Sequence, residues 1–168
     1  YWDNDDKPFD SDPRQNPFYP SSHGSTVFSV LAKEAPNSHI APYRFPALNM
    51  CKFREVIEHI AKNSIRLVNL SMGSNNLKDW VCFEKAAKQY NNIIFVVSAG
   101  NNGFDIDKHP IYPASLKLKN IITVTSSDQN SRIGRGSNIG KLSVDFILPA
   151  ERIEVIDHRG VKSYTGGT

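Results

Sequence analysis

The fold class of this chain is decided by the stretch IIFVVSAGNNG at residues 93–103. Its first residues are apolar without interruption, and a polar, glycine-rich turn follows directly. A strand with one solvated face alternates apolar and polar residues, whereas an unbroken apolar run is typical of a parallel strand covered on both faces. The segment therefore predicts a buried parallel strand over Ile93–Ser98 that ends in a loop.

The flanking sequence alternates such strands with helices. Apolar runs at Ile65–Ser71 and Ile121–Thr125 predict further strands, and a shorter strand is expected at His39–Phe45. Three segments have apolar residues at helical spacing: the first begins at His23 and ends before Pro36, the second carries Phe53, Val56, Ile57, Ile60 and Ala61, and the third carries Trp80, Phe83, Ala87 and Tyr90. This order predicts an α/β fold, a mainly parallel sheet flanked by helices on both faces with right-handed crossovers.

The last third of the chain changes character. Short strands are expected at Leu142–Leu148, Ile153–His158 and Val161–Tyr164, with a hairpin turn at Arg159-Gly160. No composition shift marks a domain boundary, so residues 1–168 are expected to form one domain. Residues 1–22 are rich in Asp, Pro, Asn and Ser without periodicity, which predicts an acidic surface loop.

Composition excludes several classes of protein. The sequence has 168 residues with 20 Lys and Arg against 17 Asp and Glu, a net charge of +3. No block of basic residues suggests a nucleic-acid partner, and no apolar run approaches the roughly 18 residues of a membrane span. Cys51 and Cys82 are too few for a disulfide framework and lack metal spacing, so buried free thiols are expected.

Two segments resemble ligand sites without matching a complete motif. Asp3-Asn4-Asp5-Asp6 groups carboxylates that suit calcium, but no full loop pattern surrounds them, and a solvated acidic loop is the other interpretation. Gly134–Lys141 is glycine-rich like a phosphate loop, yet Leu142 stands where Ser or Thr is required and the glycine spacing misses the dinucleotide fingerprint. A nucleotide-binding module is therefore the weakest alternative function.

Chemistry is expected in the loops that leave the carboxyl ends of the strands, since ligands of parallel α/β sheets bind there. Asn101 is a candidate oxyanion donor, because a fixed amide stabilises the negative charge of a tetrahedral intermediate. From local chemistry alone, a tight turn at Gly100–Gly103 is the favoured interpretation. Ser71-Met72-Gly73 is a candidate peptide-binding strand, since glycine permits close approach of another backbone, and an ordinary strand-to-helix turn is the alternative.

His23 is the candidate general base. Attack by a serine hydroxyl on a peptide carbonyl needs a group that accepts a proton at neutral pH, and imidazole suits this task. A histidine in the first turn of a helix, on the stripe that faces the sheet, would be held by packing. A capping or core histidine is the alternative, and His39, His59, His109 and His158 are interpreted as structural or surface residues.

Several motifs in sequence order resemble those of the subtilisin-like serine peptidases, the subtilases. The matching segments are Trp2–Asp10, His23-Gly24-Ser25, Asn69–Gly73, Ser98–Asn101, Tyr112-Pro113-Ala114, Ser137–Gly140 and Gly167-Thr168. The resemblance implies that His23 is the triad base, that Asn101 is the oxyanion donor and that Ala99-Gly100 forms a pocket wall. It implies that Ser71, Met72 and Gly73 pair with a polypeptide substrate.

Two parts of the family's triad have no counterpart in this sequence. The family's nucleophilic serine follows its glycine-threonine pair, and Thr168 is the last residue here; the family's aspartate lies upstream of its histidine. The resemblance therefore implies that residues 1–168 are a piece of a protease domain, inactive without the rest of that domain. It implies no cofactor for the chemistry, and the sequence gives no support for a structural calcium ion. By analogy it favours a secreted or periplasmic protein.

Departures from the family pattern motivate a second hypothesis. Thr26 stands where the family usually has a second histidine, and Phe28 and Ser29 replace a small alanine-glycine pair. Ala150 follows Pro149 where glycine is usual. A pseudoprotease that binds peptides without cleaving them is the alternative that these residues favour.

Overall fold

A computed structural model describes residues 23–44, 49–157 and 160–168. The described residues divide into two compact units. The larger unit takes its described residues from 49–151 and 166–168, and the smaller unit takes its described residues from 23–44 and 152–165. The predicted loop at residues 1–22, with its calcium candidate, lies outside the described residues.

The described residues form three helices and six strands. The helices are α1 (His23–Glu34), α2 (Lys52–Lys62) and α3 (Leu77–Gln89). The strands are β1 (Leu67–Leu70), β2 (Ile94–Ser98), β3 (Ile121–Ser127), β4 (Phe146–Pro149), β5 (Ile153–Ile156) and β6 (Lys162–Thr165).

The larger unit is built on a parallel sheet in the order β1-β2-β3-β4. The registers pair Leu70 with Val97, so β1 and β2 end at neighbouring points, and Ser98 with Val124, so β3 continues three residues beyond the end of β2. This confirms the predicted α/β class. The described residues cover β2 unevenly, since Phe95 is 1% exposed and Ile94 is 42% exposed.

The core of the larger unit joins α2 and α3 to the sheet through aromatic side chains. Phe83 contacts Phe53, Trp80 and Phe95 with ring centroids 5.0–5.6 Å apart in edge-on arrangements. The predicted stripes of both helices supply these residues, as their spacing required. Asn76 caps α3 by accepting a hydrogen bond from Lys78 N at 3.2 Å, which explains why the helix begins there.

The strand expected at His39–Phe45 was wrong over its described residues, 39–44, which have no strand conformation. Pro42 lies in the middle of this segment and lacks a backbone N–H, so it removes one ladder donor from a run too short to lose one. Phe45 lies outside the described residues.

The prediction of free thiols was also wrong, since Cys51 and Cys82 form a disulfide. Cys51 is the N-cap residue of α2 and Cys82 lies in α3. Packing of these helices brings their Cα atoms to 5.0 Å, within the range that a disulfide spans. The two cysteines are 31 residues apart in sequence, so no local sequence pattern predicts that they pair.

The smaller unit consists of α1 and an antiparallel hairpin of β5 and β6. Ser29 joins the two, because its Oγ accepts a hydrogen bond from Ile156 N at 3.1 Å and donates one to Thr26 O at 2.8 Å. The predicted hairpin is confirmed. Gly160 has a φ of 78° in its turn, a conformation that favours glycine.

Candidate active site

Two loops leave the carboxyl edge of the sheet side by side. The β1 loop (residues 71–74) follows β1, and the β2 loop (residues 99–103) follows β2. Because Leu70 pairs with Val97, the two loops begin at neighbouring points on that edge. The structure therefore brings the sequence-predicted residues Ser71–Gly73 and Ala99–Asn101 to adjacent positions.

Glycine is required at the bend of the β2 loop. Gly100 has a φ of 97°, in the left-handed region that other residues rarely adopt. A Cβ atom at this residue would lie 2.7 Å from the Nδ2 atom of Asn138. The loop therefore turns sharply against a side chain that comes from much later in the sequence.

Asn138 is the residue that holds the β2 loop, and it is fully buried. Its Oδ1 accepts hydrogen bonds from Asn102 N at 3.0 Å and Phe104 N at 2.8 Å, and its Nδ2 donates to Ala99 O at 2.7 Å. Its backbone N also donates to Gly100 O at 2.9 Å. A single side chain thus satisfies backbone groups on both sides of Asn101.

The glycine-rich segment Gly134–Lys141 packs against the β2 loop. Besides the contacts of Asn138, Gly136 O accepts a hydrogen bond from Gly103 N at 2.7 Å. Gly140 leaves room for Asp107, whose Oδ1 would lie 3.1 Å from an added Cβ. These glycines therefore permit close packing of protein on protein. The sequence indicates only a turn typical of the family and an incomplete resemblance to a phosphate loop. No local feature of the segment predicts its contacts with residues near 100.

Gly167 and Thr168 lie against Asn101, 67 residues away in sequence. Thr168 donates two hydrogen bonds to Asn101 Oδ1, from its backbone N at 3.0 Å and from its hydroxyl at 3.1 Å. Gly100 N in turn donates to Thr168 Oγ1 at 3.1 Å. Gly167 has a φ of 138°, and an added Cβ would lie 3.0 Å from Asn101 Nδ2.

These contacts fix the orientation of the Asn101 carboxamide. A backbone N–H only donates, so the atom that faces Thr168 N has to be the oxygen of the amide. The hydroxyl of Thr168 has one hydrogen, so Ser98 Oγ, 2.6 Å away, donates to Thr168 Oγ1 while that hydroxyl donates to Asn101 Oδ1. The amide oxygen is thereby occupied, and Nδ2 is the group available to another acceptor.

The β1 loop is held through its backbone. Ser74 and Tyr112 exchange two hydrogen bonds, Ser74 N to Tyr112 O at 2.9 Å and Tyr112 N to Ser74 O at 2.7 Å. The Ser74 hydroxyl accepts a bond from Nε1 of the buried Trp80 at 2.9 Å. An added Cβ at Gly73 would lie 2.8 Å from Tyr112 O, so the space that the glycine leaves is used by Tyr112.

His23 is the first residue of α1, in the smaller unit, and it is exposed. An added Cβ at the following Gly24 would meet nothing within 4 Å. The role of His23 as general base stays a prediction that rests on its sequence motif.

Asp107 ties the segment after the β2 loop to the turn before β4. A hydrogen bond from the Ser143 side chain and one from Leu142 N hold the pKa of the Asp107 carboxyl below its ordinary value of 3.8. The Leu142 N–H lies 2.9 Å from Oδ2. This carboxylate is therefore a structural acceptor.

Comparison with known proteins decides the family. The model of the subtilase family matches residues 1–166. The chain belongs to the subtilase family. It is 26% identical over 179 aligned residues to subtilisin-like protease 2 of Plasmodium falciparum, an alignment that covers 90% of this chain and 13% of that relative. The chain thus spans a small part of the length of this curated relative.

Solved subtilase structures share the fold. The subtilase cytotoxin SubAB assembly has a TM-score of 0.70 at 20% identity, covering 86% of this chain and 57% of that one. A lanthipeptide protease gives 0.65 at 22% identity, covering 79% and 44%. The epidermin leader peptide processing serine protease of Staphylococcus aureus gives 0.61 at 21% identity, covering 70% and 40%. At these identities the likeness shows the fold alone.

One departure of this subtilase from the family pattern has a structural use. Ser29, which replaces a small residue, supplies the hydroxyl that bridges α1 to β5. Within the described ranges, no cluster of three or more His, Cys, Asp or Glu side chains is placed to hold a metal ion. None of the described helices is long and apolar enough to cross a membrane.

Proposed function

We propose that the full-length protein is a serine endopeptidase of the subtilisin type, which hydrolyses peptide bonds through an acyl-enzyme. The observation that carries this proposal is the contact between Thr168 and Asn101. It places the Gly167-Thr168 pair, which matches the two residues before the family's nucleophile, beside the amide that matches the family's oxyanion donor. Two segments distant in sequence thus meet at the carboxyl edge of the sheet.

In the proposed reaction, a serine joined to Thr168 attacks the substrate carbonyl carbon through its Oγ, and His23 accepts the hydroxyl proton. The carbonyl oxygen becomes an oxyanion, and Asn101 Nδ2 donates a hydrogen bond to it. The C–N bond then breaks, and His23 returns its proton to the leaving amine. Water releases the acyl group by the same steps, with His23 again as base and then acid. An aspartate in another part of the protease domain orients His23.

The substrate we propose is an extended polypeptide that pairs with the backbone of Ser71-Met72-Gly73. β1 lies at the end of the described strand order, so this segment extends from a strand with one neighbour, β2, in that sheet. Ala99 and Gly100 are proposed as the wall of the pocket for a substrate side chain. Tyr112 exchanges backbone hydrogen bonds with Ser74, the residue that follows this segment, and an extended peptide would pair with the segment through its backbone.

The test is labelling of the full-length protein with a fluorophosphonate, a reagent that bonds to activated serines. We expect stoichiometric labelling on the residue after Thr168, and a loss of labelling in a His23→Ala variant. A folded wild-type protein that binds peptides and is not labelled would favour the pseudoprotease, which the departures at Thr26 and Phe28 motivate.

We propose that the protein works in an oxidising compartment, secreted or periplasmic, and that its chemistry needs no cofactor. The Cys51–Cys82 disulfide supports the first part, because such bonds persist mainly outside the reducing cytosol. Alkylation of free thiols in protein taken directly from its source should leave both cysteines unmodified. Full alkylation at both residues would contradict this proposal.

A further inference from the structure

We propose that Asn138 is a positioning residue for Asn101: its buried carboxamide fixes the β2 loop so that Asn101 Nδ2 is aimed at the oxyanion. This inference rests on the proposed function, and it assigns a role in that reaction to a side chain that never touches the substrate.

The bonds of Asn138 bracket Asn101 in the sequence. On the N-terminal side it contacts the carbonyl groups of Ala99 and Gly100, and on the C-terminal side it contacts the N–H groups of Asn102 and Phe104. Asn101 itself is exposed at the tip of the loop. Asn138 therefore fixes the backbone on both sides of Asn101, whereas Thr168 orients the Asn101 side chain.

Asn138 is itself fixed by the sheet. Its backbone O accepts a hydrogen bond from Thr125 Oγ1 at 2.5 Å, and Thr125 is a buried residue of β3. The side chain is fully buried, so water cannot replace its bonds when they are lost. Asn138 thus connects the β2 loop to β3 of the sheet through buried hydrogen bonds.

The pattern of donors and acceptors at this site suits only an amide. The two N–H groups need an acceptor and the carbonyl of Ala99 needs a donor. Alanine would leave all three backbone groups unpaired. Aspartate would keep an acceptor for the N–H groups but would turn its second oxygen toward the carbonyl oxygen of Ala99.

The expected consequence is a loss of transition-state stabilisation. An oxyanion donor acts only when it lies at hydrogen-bond distance from the oxyanion, and a displacement of about 1 Å can cost about 100-fold in rate. We therefore expect Asn138→Ala in the full-length protein to lower kcat by about 10- to 100-fold and to change KM by less than about twofold. Ground-state binding is little affected, because the carbonyl of the substrate carries no full charge.

A double-mutant cycle separates positioning from a general structural effect. In an Asn101→Ala background the donor is already gone, so adding Asn138→Ala should lower kcat by less than about twofold. Asn120→Ala is the matched control, since Asn120 is also buried and donates to two backbone carbonyls, Ala87 O at 3.0 Å and Ile93 O at 2.9 Å. We expect it to lower the melting temperature comparably while kcat stays within about twofold of wild type.

Three outcomes would overturn the inference. They are an unchanged kcat in Asn138→Ala, an equal fall of kcat in the wild-type and Asn101→Ala backgrounds, and an equal fall of kcat in Asn120→Ala. If Asn138→Ala does not fold, Asn138→Asp takes its place in the cycle, with a smaller fall of kcat and the same loss of effect in the Asn101→Ala background. An inactive wild-type enzyme would instead refute the proposed function, so the two failures are distinguishable.

Discussion

The β2 loop and the β1 loop lie side by side but are held in different ways. The β2 loop is held by side-chain hydrogen bonds from Asn138 and Thr168, both distant in sequence. The β1 loop is held by a backbone exchange with Tyr112 and by its direct continuation into α3. The first arrangement aims a side chain, whereas the second presents a length of backbone. This difference matches the proposed roles, a donor to one atom and a partner for an extended peptide.

The disulfide belongs to the support of the β1 loop, because it ties α3 to α2. Cross-linking over a separation of 31 residues is expected to contribute about 3.5–4 kcal/mol to the free energy of unfolding. We therefore expect the doubly substituted protein, Cys51→Ala with Cys82→Ala, to lose about that amount in chemical denaturation of the full-length enzyme.

Hydrogen exchange should show where this support acts. In the doubly substituted protein the Ser74 N–H, in the β1 loop, should exchange faster, whereas the Gly103 N–H, in the β2 loop, should change little. Reductant should destabilise the wild type and leave the variant unaffected. Equal acceleration at both amides would show that the two loops do not have separate supports.

Gly73 tests the support of the β1 loop by Tyr112. In Gly73→Ala the added Cβ would lie 2.8 Å from Tyr112 O, so one of the two backbones has to move. Such overpacking is expected to cost about 1–3 kcal/mol of stability and to raise KM for peptide substrates. Thermal unfolding and steady-state kinetics of the full-length protein measure the two effects.

Gly24 provides the matched control for this substitution, because an added Cβ there meets nothing within 4 Å. In α1 the change to alanine should leave stability unchanged or raise it by about 0.5–1 kcal/mol. If Gly73→Ala were as stable as Gly24→Ala, the close approach of Tyr112 would not be what makes glycine necessary.

The sequence was sufficient for the parallel sheet and for the three described helices, because their signals are local. The stripe that begins at Phe53 and the apolar run at 93–98 each predict an element from their own residues, and both elements are present. The strand expected at 39–45 is absent over its described residues, because Pro42 removes a backbone donor from a short segment. Local periodicity thus predicts an element well when no residue removes a backbone donor.

The pairings that build the site were not predictable in this way. Neither the Cys51–Cys82 bond nor the contacts of Asn138 with the β2 loop leave a trace in local sequence, since each depends on how distant segments pack. The motif at Ser137–Gly140 indicates a turn typical of the family, but it does not indicate the contacts of Asn138 with the β2 loop. Family motifs indicated which residues matter, and the structure adds which residues hold them.

Asp107 gives the smallest expected effect and tests the same support of the β2 loop at a second point. Its carboxylate accepts hydrogen bonds from Ser143 and Leu142, and so ties the chain after the β2 loop to the turn before β4, which follows the segment that carries Asn138. Because these bonds lower its pKa in the folded protein, the carboxylate stabilises the fold above the unfolded value of 3.8. That stabilisation is lost as the pH falls through the lower, folded value.

An Asp107→Asn variant should therefore be less stable than wild type at neutral pH, and the difference should shrink as the pH falls below about 4. Urea unfolding at several pH values measures it, and Asp107→Glu, which keeps the charge but lengthens the side chain, separates charge from geometry. A stability difference that stays constant from neutral to acid pH would show that the charge of Asp107 does not contribute. In that case the contacts of Asn138 and Thr168 would have to account for how the β2 loop is held.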